Sequence, residues 1–295
     1  DLGNFTFYDD GGFAVPAGQR AVLALYAAIF LLGVIGNGAV IWVSAAQLRR
    51  SVNGVWFLHL SLADLLCCLA IPFLAAPLAD DHRWALGAFG CKLLPSLTVL
   101  NMFASVLLLA AISADRCALV TRPVWSQTRR SPSWARRVCA ALWAAAALLT
   151  TPSFVFRSIR HDPVSDKATC VFDYAVAGRH RRFAELFAAI LRFLFGFLFP
   201  FGAVAACYGL LLARVRTKRF ARSRRATVLV LAVIVTFFAC WLPFHVVGLL
   251  LAACPPHSAV FKGAMAADPA ATGIAYLNSC LNPIIYVAAG RGGAG

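Results

Sequence analysis

Residues 91–123, CKLLPSLTVLNMFASVLLLAAISADRCALVTRP, carry no ionisable side chain between Lys92 and Asp115. As a helix rising about 1.5 Å per residue, the run from Cys91 to Arg116 measures roughly 37 Å, more than the ~30 Å hydrocarbon core of a bilayer. Cys91 and the pair Asp115-Arg116 therefore belong at opposite membrane faces, with a thiol at one end and an acid-base pair at the other. A segment built this way can join an event outside to an event inside.

Further apolar segments lie on both sides of it. The set reads Ala21 to Ala46, Val55 to Leu78, Lys92 to Val120, Val138 to Phe156, Phe183 to Ala213, Thr227 to Ala253 and Ala264 to Ala289. Each is long enough to cross as a helix, the last being less apolar because it is rich in Ala and carries Asp268, Asn278 and Asn282. The expected fold is an all-α membrane protein, a seven-helix bundle whose two ends lie on opposite sides. We divide the chain into an outer N-terminal segment (1–20), the membrane domain (21–289) and the start of an inner tail (290–295). No internal repeat of the kind that builds transporters is evident.

Composition excludes a soluble domain: the chain is 61% hydrophobic and only 13% charged, too little polar surface for its size. The net charge of +15 does not indicate nucleic acid, because the basic residues fall between apolar runs and form no continuous patch. They mark topology instead. Arg49-Arg50, then Arg122, Arg129, Arg130, Arg136 and Arg137, then Arg214 through Arg225 have almost no acid beside them, which places those loops in the cytoplasm. The opposite loops are mixed, with Asp80, Asp81 and Arg83 in one and Arg160, Asp162, Asp166, Lys167, Asp173 and Arg179 in the other.

The first residues, DLGNFTFYDD, lack the basic and apolar regions of a signal peptide. Asn4-Phe5-Thr6 is an N-glycosylation sequon, a pattern that also arises by chance, and Tyr8 beside Asp9 and Asp10 is a context for sulfation. The start at Asp1 and the ending RGGAG, without an amphipathic helix or a Ser/Thr-rich tail, lead us to expect a piece of a longer chain.

The ten cysteines show no paired ligand spacing, so a zinc site is not expected. Cys91 at the outer end of its segment and Cys170 in the longest outer loop share an oxidising side, where they are either a disulfide that ties the loop over the bundle or two free thiols. Polar groups within the spans are costly and mark function or packing. Asp64 sits mid-span among Asn37, Asn101, Ser105, Asn278, Ser279 and Asn282 at similar depth. That set is either a network that satisfies its own polar atoms or a switch site holding a cation, with sodium at Asp64 and Ser105 the candidate. Pro72, Pro152, Pro200, Pro243 and Pro283 are candidate kinks.

Gly36-Asn37, Leu62-Ala63-Asp64, Cys91, Asp115-Arg116-Cys117, Trp143, Cys170, Pro200 with Tyr208, Cys240-Trp241-Leu242-Pro243 and Asn282-Pro283-Ile284-Ile285-Tyr286 fall in order along the segments. From about Ala21 to Ala289 the chain resembles the rhodopsin-like G-protein-coupled receptors. The strings VNGVWFLHLSLADLLCCLAIPF, LLPSLTVLNMFASVLLLAAISADRC and NSCLNPIIYVAAG are similar to the chemoattractant branch and, within it, to the complement anaphylatoxin receptors. Cys117 departs from the family's usual Tyr, which puts the resting contacts of that position in question.

The resemblance implies a multi-pass plasma-membrane receptor for a cationic anaphylatoxin of the fifth-component type. It would pass chemotactic and inflammatory signals to a heterotrimeric G protein, the inhibitory class being usual in this branch, with arrestin a further partner. Tyr8, Asp9 and Asp10 would form an outer anionic contact. Arg157 and Arg192 would grip a terminal carboxylate, Asp268 would pair with the ligand's terminal arginine, and Glu185 would add a cationic contact. Other readings stay open: Arg157 as an interfacial snorkelling side chain, and Asp268 as a helix cap or a partner of Lys262. Asp64, Asn101, Ser105, Trp241, Pro243, Asn278, Asn282 and Pro283 would relay the signal. Asp115 would hold Arg116 at rest, and Tyr208 and Tyr286 would stabilise the active arrangement.

Alternative functions are a non-signalling decoy for the same peptide, or a receptor for the third-component anaphylatoxin or formyl peptides. A decoy relative lacks the arginine after the conserved Asp, whereas this chain keeps Arg116. A transporter or channel would line a continuous path with charge. The histidines are dispersed and no triad, metal or phosphate-loop spacing appears, so no enzyme is expected and no cofactor other than the sodium ion.

Overall fold

The computed structural model describes residues 14–48, 51–163, 167–214 and 224–291. Asn4, Tyr8, Asp9, Asp10 and much of the basic inner-loop charge lie outside the described residues, as does the side chain of Tyr286.

The helices are α1 (Ala17–Val43, continued by a π-helical turn over Ser44–Leu48), α2 (Val52–Ala79), α3 (Gly87–Thr121), α4 (Pro123–Arg129), α5 (Pro132–Val155), α6 (Arg181–Phe193), α7 (Phe199–Arg214), α8 (Arg224–Ala253) and α9 (Ala259–Arg291). A π-helical turn over Leu194–Leu198 joins α6 to α7 as one span. Each expected segment falls inside one helix or span to within one residue. Among the described residues six spans are long and apolar enough to cross a membrane by composition alone, and α9 is the weaker seventh. Prolines lie inside α2 at Pro72 and Pro77, in α3 at Pro95, in α5 at Pro152, in α8 at Pro243 and in α9 at Pro269 and Pro283. Pro77, Pro95 and Pro269 were not singled out from sequence.

Local chemistry sets the inner ends. Ser51 Oγ accepts the Gly54 N–H at 2.9 Å and Ser131 Oγ accepts the Trp134 N–H at 3.2 Å, capping α2 and α5. Pro123 and Pro132 occupy first-turn positions, where a missing N–H costs nothing. Packing then decides the order of layers. In α3 67% of the most apolar window is buried, against 22% in α1 and in α5, so α3 is the central post. It packs against α2, α5, α7 and α8 around Trp56, Phe103, Phe237 and Trp241, each at most 2% exposed. Leu31, Ile35, Leu148 and Val235 are more than half exposed, as side chains facing lipid should be.

The spans are all helical, but the outer loop adds a sheet that the sequence reading did not anticipate. Strands β1 (Arg157–His161) and β2 (Ala168–Phe172) form an antiparallel hairpin, with Ile159 opposite Cys170. The Cys91–Cys170 disulfide, Cα–Cα 5.5 Å, fastens β2 to the outer end of α3. The Trp84 N–H donates to Ala168 O at 2.8 Å, and Lys167 Nζ meets Asp81 Oδ2 at 2.7 Å, so the hairpin is also tied to the α2–α3 connection. Of the alternatives for these thiols, the structure contains the disulfide.

Candidate functional site

The hairpin and α6 build a chamber at the outer end of the bundle. The disulfide fixes β2, and two residues beyond Cys170 the ring of Phe172 has two guanidinium groups close to it. Arg157 Cζ, from β1, lies 4.0 Å from the Phe172 centroid, and Arg192 Cζ, from α6, lies 5.6 Å from it. These are cation–π distances. Tyr174 stacks on the same ring at 6.0 Å and meets Phe156 at a tilt at 4.7 Å. Phe172 and Tyr174 were missed in the sequence, where their position just after Cys170 was the available signal.

Burial and the like charge of Arg192 lower the Arg157 pKa to about 10, against the opposing pull of Asp268. Arg157 Nε is enclosed without a hydrogen-bond partner. Neither arginine makes an ion pair among the described residues. Asp268, on α9, is exposed at the mouth, and it too lies beyond ion-pair distance of both and of Lys262. Beside it, Tyr26 OH donates to Pro269 O at 2.8 Å and pins α1 to α9. Glu185, seven residues before Arg192 on α6, is paired with Arg182 at 3.2 Å and makes no ion pair with Arg157 or Arg192 among the described residues.

Arg192 lines two clefts. One, a narrow cleft, lies among Val99, Phe103, Leu149, Pro152, Phe172 and Tyr174; the other, narrower still, lies between α6 and α8 and includes Phe244 and His245. His245, 3% exposed, has an enclosed Nε2 without a partner and was not assigned a role from sequence. The π-helical turn makes room here: a Cβ on Gly196 would stand 2.7 Å from Met102 Cε and 3.2 Å from His245 Cε1. Below the clefts Trp241, two residues before Pro243, is fully buried against Phe237 at 5.9 Å and Phe244 at 5.3 Å.

Deeper, the expected polar set does converge. Asn282 Nδ2 donates to Asp64 Oδ2 at 2.8 Å. With its amide nitrogen turned towards the acceptors around it, Asn101 donates to Asp64 Oδ1 at 3.2 Å and to Ser105 Oγ at 3.1 Å, and its oxygen accepts from Ser279 Oγ at 3.1 Å. Asn37 donates to Ser279 O at 2.7 Å. The oxygens of Asn37, Asn278 and Asn282 remain enclosed and unpartnered. One carboxylate among hydroxyl and amide oxygens is a donor set suited to a hard monovalent cation, so both readings of this set stay compatible with its geometry.

At the inner end the expected Asp115–Arg116 pairing is corrected. The Asp115 carboxylate, 2% exposed, is taken by Arg130 through Nε to Oδ1 at 2.8 Å and Nη2 to Oδ2 at 2.9 Å. Arg130 Nη2 also donates to Asn53 Oδ1 at 3.0 Å. Neighbours along a helix diverge around its axis, whereas Arg130 approaches from the loop with its fork aligned to both oxygens. Arg116 makes no hydrogen bond or ion pair among the described residues, and Tyr208, whose hydroxyl is enclosed and unpartnered, is one of its near neighbours.

Comparison with known proteins agrees with this arrangement. The family model for the 7 transmembrane receptor (rhodopsin family) matches residues 36–286. The chain is similar to the C5a anaphylatoxin chemotactic receptor 1 of Oryctolagus cuniculus, 46% identical over 270 residues, covering 92% of this chain and 76% of the relative. It is 45% identical to that of Rattus norvegicus over 275 residues (93% and 77%) and 42% identical to that of Homo sapiens over 270 (92% and 76%).

Proposed function

The chain belongs to the rhodopsin family of seven-transmembrane receptors, and we propose that within it the protein is a signalling receptor for an anaphylatoxin of the C5a type. It is a multi-pass receptor of the plasma membrane and not an enzyme. The observation that carries the finer reading is the pair of guanidinium groups, Arg157 and Arg192, held around Phe172 without an acid partner. Two desolvated cations in one chamber favour an anion with two oxygens in a plane, which a peptide's terminal carboxylate supplies. Asp268 stands at the mouth with its charge unpaired and suits the side chain of a terminal arginine. Together the three groups favour a ligand ending in arginine with a free carboxylate.

Ligand in the chamber bears on the clefts beside Arg192 and, through Phe244 and His245, on Trp241 and the weak point in α8 at Pro243. The network about Asp64 then repacks, and the inner end of α8 moves outward to admit a G protein against Arg116. A sodium ion fits the Asp64 cage, where Asp64, Ser105 and the unpartnered amide oxygens would hold it; it would supply a positive charge that favours the resting packing.

The reading is tested by G-protein nucleotide exchange in cells expressing the chain, challenged separately with the fifth-component anaphylatoxin, the third-component anaphylatoxin and a formyl peptide, with surface binding recorded in parallel. Exchange driven by the first alone supports it. Binding of the first without exchange makes the protein a decoy, and exchange driven by either of the others reassigns the ligand.

A further inference from the structure

The connection between α3 and α5 is attached to the bundle twice. An apolar attachment runs through three tryptophans: Trp125 of α4 meets Trp134 of α5 edge-on at 5.5 Å, and Trp134 meets Trp56 of α2 at 6.0 Å. The second attachment is ionic, and its centre is Arg130, in the short link between α4 and α5. Its fork takes both oxygens of Asp115 and reaches Asn53 in the first turn of α2, so one side chain binds three parts of the chain.

The Asp115 carboxylate is buried and Arg130 is only 17% exposed, so this pair is not a solvent-screened surface contact. A buried carboxylate that loses its partner must be protonated or find another cation. Asp115 is the opposite charge acting on Arg116, and the long flexible arginine stem permits capture. We infer that Arg130 is a positioning residue for G-protein coupling: by occupying Asp115 it keeps the Arg116 guanidinium unpaired and accessible, while clamping α4 against the inner end of α3. This goes beyond the proposed function and rests on it only for the coupling readout.

The inference has a signature that a purely structural clamp lacks. In Arg130→Gln the freed Asp115 captures Arg116, and agonist-driven nucleotide exchange falls about tenfold while ligand affinity at the outer site is unchanged. In Asp115→Asn Arg116 stays unpaired, and exchange is kept. In the double variant Arg130→Gln/Asp115→Asn no carboxylate remains to capture Arg116, so exchange returns to the level of Asp115→Asn. A clamp that mattered only for shape would lose exchange in both single variants and recover nothing in the double.

The experiment is exchange on purified heterotrimer of the inhibitory class with the full chain in lipid nanodiscs, across the four proteins, with C5a as agonist and its affinity measured alongside. Hydrogen exchange of the backbone amides of 124–129 is recorded on the same samples without G protein. Those amides are expected to exchange about tenfold faster in Arg130→Gln. Unchanged protection there overturns the clamp whether or not the G protein responds, and a double variant no better than Arg130→Gln overturns the protection of Arg116. A wild-type chain that binds C5a and drives no exchange rejects the signalling reading, while hydrogen exchange still decides the clamp.

Discussion

Replacing Arg192 with alanine asks whether the chamber reads a terminal carboxylate. Arg192 lines both clefts, and its guanidinium shares the Phe172 ring with Arg157. A hydrogen bond to a charged group is worth about 1.5–3 kcal/mol, so losing one of two forks on a desolvated carboxylate weakens binding by roughly tenfold to 150-fold. The same peptide ending in a carboxamide offers no negative charge, and its loss should be nearer fivefold, the worth of a neutral hydrogen bond of about 1 kcal/mol. Arg192→Lys keeps the charge but not the fork and should fall between the two. The assay is competition binding of matched acid and amide peptides on membranes from cells with equal surface expression. Equal losses for acid and amide would refute the assignment, because the missing group would then have been packing against the ligand rather than answering its charge.

Three further outcomes follow from the same geometry. Asp268→Asn should remove most of the preference for terminal arginine over leucine, measured as the ratio of the two peptide affinities; an unchanged ratio would mean that Asp268 takes no part in reading that residue. Asp64→Asn should make agonist affinity insensitive to replacing sodium with choline at equal ionic strength, and persistent sensitivity would place the ion elsewhere. At Gly196 a Cβ would press on the flexible end of Met102 and come to 3.2 Å of His245 Cε1, so Gly196→Ala should cost about 1 kcal/mol of stability, whereas Gly196→Leu should cost about 3 kcal/mol by overpacking against both, read as the unfolding midpoint. Equal midpoints for the two would contradict the close approach.

The spans were legible because lipid removes choice: a run of about twenty apolar residues must satisfy its own backbone and does so as a helix. The same constraint made Asp64 and its amide neighbours stand out before they were seen to converge. What sequence did not reveal depends on tertiary placement. The π-helical turn at Leu194–Leu198 leaves no mark in an apolar run, and the β1–β2 hairpin has short strands of mixed polarity without a Gly-rich turn to announce it. The family resemblance implied Arg116 as the resting partner of Asp115, and no local signal pointed to Arg130, which the chain's reversal through α4 brings back from fifteen positions away.

Charge pairing separates what holds the bundle together from what it presents to partners. Asp115 is buried and fully engaged by Arg130, so that acid contributes to the attachment of a loop. Arg157 and Arg192 at the outer end, and Arg116 at the inner end, have no acid partner among the described residues. An ionised group partly withdrawn from water without an acid partner carries a cost to the fold, which a partner arriving from outside can relieve. On the proposed reading, binding energy is gained at both ends of the bundle, from an anion above and from acceptor groups of a G protein below. Between those ends lie Trp241 beside Pro243 of α8 and the under-satisfied amides around Asp64, groups whose present hydrogen bonding is incomplete and whose repacking need not break a finished network. The arrangement thus joins two unpaired sites through a core that is able to repack, which is the physical requirement for a ligand on one side to alter affinity on the other.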